Sequence, residues 1–225
     1  MGVALSSCRS PARVVATSLT TRTVSSQLPA TELAYILGGA GVGKSTWVLD
    51  NSLAQTHQII DPDRLVGLCP VEDDDPAGVD SPTHRWCKQR SRELLEEALS
   101  STKLQSFALV GTGKSFTTLT GKHPKVHLME RAAALGLRTR VIFLHCPLDV
   151  ARARNASRPR SLPDEVIVSS MESSRRLFEL LRDVCDVSEE HDTRKHQPSR
   201  KGRRASLTEV AVTSFKIKDS VHRLM

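Results

Sequence analysis

Leu33-Ala34-Tyr35-Ile36-Leu37, followed at once by Gly38-Gly39-Ala40-Gly41-Val42-Gly43-Lys44-Ser45, decides how the rest of the chain is read. A short apolar run of this kind reads as a buried strand. The residues after it satisfy the phosphate-loop pattern G-x-x-x-x-G-K-[ST], and the pattern from Lys44 to about Gln55 predicts a helix behind it. Glycines let the backbone wrap a phosphate with no side chain in the way, so successive N–H groups point inward. The start of a helix adds its partial positive charge at the same place. In such a loop Lys44 bridges the β- and γ-phosphates and the Ser45 hydroxyl ligates magnesium. Gly38, Gly39, Ala40, Gly41, Val42, Gly43, Lys44, Ser45 and Thr46 are therefore the candidate nucleotide contacts, with ATP and Mg2+ as expected cofactors.

Working outward, strands and helices alternate. Gln58–Ile60 reads as a second strand ending at Asp61-Pro62-Asp63, and Ser106–Val110 as a third, followed by Gly111-Thr112-Gly113. Arg140–Cys146 reads as a fourth strand. Helices are expected from about His84 to Thr102, burying Trp86, Leu94, Leu95, Ala98 and Leu99, and over Val126–Leu135, stopped by Gly136. A further helix starts at Pro147, and a last long one at Pro163 with Ile167, Met171, Ser174, Leu177 or Phe178, and Leu181 on its buried face. This alternation predicts an α/β fold: three layers of the P-loop NTPase type, with a mainly parallel sheet flanked by helices. Past Asp186 the regular pattern fades, and only Leu207–Ile217 reads as a returning strand or short helix. The organisation expected is thus a flexible extension over 1–31, a P-loop domain over 32–185, and a basic, poorly ordered tail over 186–225.

The 225 residues carry a net charge of +7, with 39% hydrophobic and 25% charged residues, enough for a buried core. The charge belongs to the ends: residues 1–31 contribute +3, residues 186–225 another +3, and the long middle only +1. A generic basic face on the core is not supported, and aromatic residues at 4% make base-stacking platforms scarce. Nucleic acid is a possible partner but not the favoured one. No apolar run reaches the roughly 20 residues of a membrane span. Five widely spaced cysteines without a C-x-x-C pair fit a reducing compartment, so a cytoplasmic location is expected. The Ser- and Arg-bearing, acid-free N-terminus also fits a mitochondrial transit segment, and Met1-Gly2 with Cys8 fits acylation. Both alternatives stay open beside plain disorder.

Two further signals bear on the chemistry. Asp63 lies nineteen residues beyond Lys44, with Asp61 beside it, at the carboxyl end of the second strand. An aspartate there takes the proton from an acceptor hydroxyl as it attacks the γ-phosphate, although Asp-Pro is also an ordinary turn. Arg152, Arg154, Arg158 and Arg160 fall within nine residues with no acid among them. Guanidinium groups so placed close over a triphosphate, and without an anionic partner they repel one another.

The series GGAGVGKSTW, IIDPDRL, SFALVGTGKS, KVHLMERAAALG and RVIFLHCPLDVARARNASRPRSLPDEVI resembles the small P-loop kinases of the zeta-toxin and polynucleotide-kinase type, AAA-type P-loop kinases, over about residues 33 to 185. That resemblance implies ATP-dependent transfer of the γ-phosphate to a hydroxyl of a small molecule, a nucleotide sugar or a nucleic-acid end. It also implies Asp63 as general base, Arg154, Arg158 and Arg160 as lid arginines, and Asp61, Arg64 and Thr112 on the acceptor side. One departure stands out: these kinases often place an acid directly before the G-T-G, and here the position holds Val110. A weakened, ATP-binding regulatory module or a simple ATPase is the competing expectation. The pairs His84/Cys87 and His191/His196 lack further ligands at metal spacing. Ser206, in Arg203-Arg204-Ala205-Ser206, fits a site for a basophilic protein kinase.

Overall fold

The computed structural model describes residues 31–73, 81–101, 105–114, 122–158 and 161–194. The expectations for Gly2, Cys8, Arg160, His196, Ser206 and the 207–217 segment lie outside the described residues.

β1 (Glu32–Leu37) is the centre of the sheet, and every residue of it is buried. β3 (Phe107–Gly111) pairs with it in parallel from Leu33↔Phe107 to Leu37↔Gly111, and β4 (Arg138–His145) on its other side from Glu32↔Arg138 to Leu37↔Phe143. β2 (Gln58–Ile60) lies outside β3, and β5 (Val187–Asp192) outside β4. The order is β2-β3-β1-β4-β5, with every pairing parallel. A sheet of parallel strands is normally covered on both faces, and the side chains of β1 show this directly. Leu33, Tyr35 and Leu37 enter one apolar cluster, Ala34 and Ile36 the other.

The first cluster is closed by α3 (Pro82–Ser100), α4 (Pro124–Ala134) and the second half of α6 (Asp164–Leu181), through Leu94, Leu99, Met129, Leu177 and Leu181. The second is closed by α1 (Lys44–Asp50), α2 (Leu53–Thr56) and α5 (Leu148–Ala156), through Trp47, Val48, Leu53 and Ala151, with Ile167 from the start of α6. Three layers result, as the alternation predicts. Local chemistry sets the helix starts. Ser81 caps α3 by accepting from the His84 amide at 3.1 Å, with Pro82 as the first helical residue. His123 does the same for α4 through Nδ1, at 3.2 Å from the Lys125 amide, again before a proline.

Three expectations are corrected. The single helix predicted from Lys44 to about Gln55 is two: the Asn51 side chain donates to the Trp47 carbonyl at 2.9 Å, and Ser52 turns left-handed at φ 58°. A side-chain bond to the preceding turn and one left-handed residue are enough to end a short helix. Trp86 is half-buried and packs against the first cluster instead of lying within it. Order also does not end at Asp186. β5 extends the sheet from Val187 to Asp192, although only Val187 in that strand is apolar. Its support is polar: Asp186 accepts from the Thr139 amide at 2.8 Å and hydroxyl at 2.9 Å, Arg140 Nη2 reaches Glu189 at 2.7 Å, and Arg175 reaches Glu190 at 2.6 Å.

Candidate active site

The site is built from the carboxyl ends of the parallel strands, where open α/β sheets place their ligands. The loop from Gly38 to Gly43 leaves β1 and runs straight into α1. Its shape is fixed by contacts that spend some of its polar groups. The Gly38 amide donates to the Gly111 carbonyl at 3.3 Å, and the Ala40 amide to the buried Ser170 hydroxyl of α6 at 2.8 Å. Gly38 and Ala40 therefore serve the loop's form, and their N–H groups are not free for a phosphate. No described residue accepts a hydrogen bond from the amides of Gly41, Val42, Gly43, Lys44 or Ser45. The loop also lies hard against its neighbours. A Cβ at Gly41 would come within 2.5 Å of the Ala151 carbonyl oxygen, in a backbone at φ 81°. At Gly39 it would meet Met171 at 2.4 Å.

Lys44 folds back over the loop. Its Nζ donates to the carbonyls of Gly38 and Gly39 at 2.8 and 2.9 Å. Loss of water brings the ammonium down to about 8, against the opposing pull of the Asp63 and Asp61 charges, and Arg158 lowers it further. Thr46 is half-buried on the first turn of α1. Ser45 Oγ lies 3.5 Å from Asp61 Oδ2. Asp61 is buried, and its second oxygen accepts from the Asp63 amide at 3.1 Å. Burial and the neighbouring Asp63 charge raise its carboxyl above the usual range, while the Asp63 amide, Arg64 and Lys44 work the other way. Asp63 itself is exposed. The two carboxylates thus divide: Asp61 turns in to Ser45, and Asp63 faces out.

Arg64 has an unusual status. Its Nε is 3.9 Å from Asp61 Oδ2, too far for a hydrogen bond, and both Nε and Nη2 are buried with no hydrogen-bond partner among the described residues. Buried donors are nearly always satisfied, so these two are the site's donors still able to take an acceptor. Thr112 is half-buried at the end of β3. Val110, in the position where an acid was expected by resemblance, is buried in the second apolar cluster.

The arginines on and just past α5 do not act as one group. Arg152 forms a two-pronged ion pair with Asp164 at 2.6 and 2.5 Å, so the argument from mutual repulsion fails for it. Arg154 is committed to the fold: it donates to the Val42 carbonyl at 3.1 Å, the Thr193 hydroxyl at 3.2 Å and the Thr193 carbonyl at 2.7 Å. Arg158 is exposed and acts electrostatically on Lys44. Sequence reasoning missed Ser170 and Thr193, and no local signal marks either; both act across the fold. Among the described residues no group of three or more His, Cys, Asp or Glu side chains is arranged to hold a metal, and no helix is long and apolar enough to cross a membrane.

Residues 33–181 match a family model described as an AAA domain. Among curated proteins none matches. Similar solved structures include the PezAT chromosomal toxin–antitoxin system of Streptococcus pneumoniae, at 16% identity and a TM-score of 0.51, covering 84% of this chain and 80% of that one. They also include a sugar kinase from Janibacter sp. HTCC2649, at 16% identity and a TM-score of 0.41 over 81% of this chain and 93% of that one. A gluconokinase from Sinorhizobium meliloti 1021 has the same identity and coverages, with a TM-score of 0.43.

Proposed function

The chain belongs to the AAA-domain family whose model it matches, and from that premise we propose that it is an ATP-dependent kinase transferring the γ-phosphate to a hydroxyl acceptor. The observation that carries this reading is the juxtaposition at the end of β2: Lys44 feels both Asp61 and Asp63, one buried against Ser45 and one open to a substrate. A carboxylate open to solvent beside the phosphate site can take the proton of an attacking hydroxyl, the step that transfer requires.

The loop amides from Gly41 to Ser45 and the Lys44 ammonium bind the triphosphate, with Lys44 exchanging the Gly38 and Gly39 carbonyls for phosphate oxygens. The Ser45 hydroxyl and the Asp61 carboxylate are hard oxygen ligands standing together, and they fit Mg2+. A magnesium ion held there supplies neutralisation of charge on the phosphates. Asp63 accepts the acceptor's hydroxyl proton as the oxygen bonds to the γ-phosphorus and the bond to ADP breaks. Arg158, with Arg160 close in sequence, offsets the charge that develops on the transferred group. Thr112 lines the acceptor side. The Nε and Nη2 of Arg64, without a partner among the described residues, favour an acceptor with an anionic group near its hydroxyl, such as a nucleotide sugar, a phosphorylated or carboxylated metabolite, or a nucleic-acid end.

The test is ATP consumption with magnesium for the wild type, Lys44→Ala and Asp63→Asn, supplied with pooled metabolites or with 5′-hydroxyl oligonucleotides. Labelled product with wild type alone supports a kinase and identifies the pool to fractionate. ATP binding that requires Lys44, without acceptor-dependent product in any pool, overturns transfer. It moves the assignment to a nucleotide-binding regulatory module, the reading that the buried Val110 favours.

A further inference from the structure

Thr193 sits just past β5 and is 2% exposed. Its amide donates to the His145 carbonyl at the end of β4, at 2.8 Å. Its hydroxyl donates to the Val42 carbonyl at 2.7 Å, with the His145 carbonyl 3.1 Å away as an alternative acceptor. The same Val42 carbonyl receives Arg154 Nη1 at 3.1 Å, and Arg154 in turn holds both the hydroxyl and the carbonyl of Thr193. Three segments far apart in sequence therefore meet on one backbone oxygen of the phosphate loop.

The choice of that oxygen matters. In a loop whose amides turn inward to an anion, the intervening carbonyls must turn outward and be satisfied there. Val42 is 1% exposed, so water does not take that role. Leaving a buried carbonyl unsatisfied costs enough for a loop to trade its shape for solvent.

We propose that Thr193 and Arg154 are positioning residues for the phosphate loop, holding the Val42 carbonyl outward so that the amides from Gly41 to Ser45 converge. The assignment rests on the nucleotide-binding reading above and departs from the role that the resemblance implies for Arg154. Arg154 supports the loop from behind and is not a lid arginine that touches the transferred phosphate. It also carries the nucleotide site past residue 185 to Thr193, beyond the 33–181 family match.

The experiment compares Thr193→Val, Thr193→Ser, Arg154→Met and the double variant Thr193→Val/Arg154→Met in the full chain. Two readouts are used: ATP affinity by calorimetry with magnesium, and amide hydrogen exchange over residues 38–46 without nucleotide. Thr193→Val and Arg154→Met are each expected to weaken ATP binding about tenfold, the worth of roughly one hydrogen bond to a buried carbonyl. Thr193→Ser keeps the hydroxyl and stays near wild type. The double variant falls short of the product of the two single losses, because both act on one oxygen. Exchange accelerates in the loop and not in β1 or β3, which separates local loosening from a fold that has failed. Unchanged ATP affinity for Arg154→Met, with Thr193→Val silent as well, overturns the proposal. Unchanged loop exchange in both single variants overturns it as well. If wild type binds no ATP, the nucleotide reading fails, and the exchange data still decide whether the clamp holds the loop.

Discussion

On its β4 and β5 side the phosphate loop is gripped by Ser170, Arg154 and Thr193, each bonded to a loop backbone group. On its β2 side the same loop faces Asp63, which is exposed, and Arg64, whose Nε and Nη2 are buried without a partner among the described residues. The first side is finished without a ligand and the second is not. Preorganised donors bind a triphosphate without rearranging, because the ordering cost is already met by the fold. Donors with no partner among the described residues, beside a candidate base, mark the half suited to receive an acceptor.

That contrast breaks most sharply at Asp63. Asp63→Asn is expected to lower phosphoryl transfer by about 10²–10⁴-fold, the usual worth of a positioned base, with ATP affinity within a factor of about two of wild type. Equal losses in transfer and in ATP binding would place Asp63 on the nucleotide side. Gly41→Ala attacks the gripped side directly. The added carbon meets the Ala151 carbonyl in a left-handed backbone, and we expect a loss of about 1–3 kcal/mol in urea unfolding, together with ATP binding. An unchanged midpoint would show that the loop yields more easily than its contacts imply.

Arg64→Ala should raise KM for the acceptor by about tenfold while KM for ATP stays put, and an uncharged acceptor analogue should be indifferent to the change. Lys44 supplies a pH signature. Its ammonium gives up its proton at about 8 in the fold against an ordinary 10.5, so ATP affinity falls as pH rises through about 8. Over the window from about 8 to 10.5 the unfolded chain holds the extra proton, and this group makes the nucleotide-free protein more stable with rising pH. Titration calorimetry and melting against pH read the two opposite slopes. The smallest effect belongs to Arg152→Ala. Its ion pair with Asp164 is exposed, and turnover and melting should match wild type, in contrast to Arg158→Ala, which should slow transfer.

The same division governs what the sequence made legible. β1, the loop and α1 are contiguous, so period and motif reveal them together. Asp61 and Asp63 follow because the strand-end position is local. β5 escaped because Ser188, Glu189, Glu190, His191 and Asp192 carry no hydrophobic period; it pairs through its backbone and through ion pairs to Arg140 and Arg175. Arg154 was legible as a cation but not as a brace, since its partners Val42 and Thr193 lie 112 and 39 residues away. Val110 was visible as a departure, but its place in the apolar cluster needed the register of β3 on β1.

The polar character of β5 has a consequence for how copies of this protein meet. The outermost strands among the described residues are β2, three residues long, and β5, whose outward-facing Ser188, Glu190 and Asp192 are polar or acidic. An unpaired strand edge invites another chain to add to the sheet, and natural proteins deter this with short or charged edges. One margin of this sheet uses the first device and the other uses the second. The strand hardest to see in the sequence is, by the same residues, the one that resists growth of the sheet into aggregates.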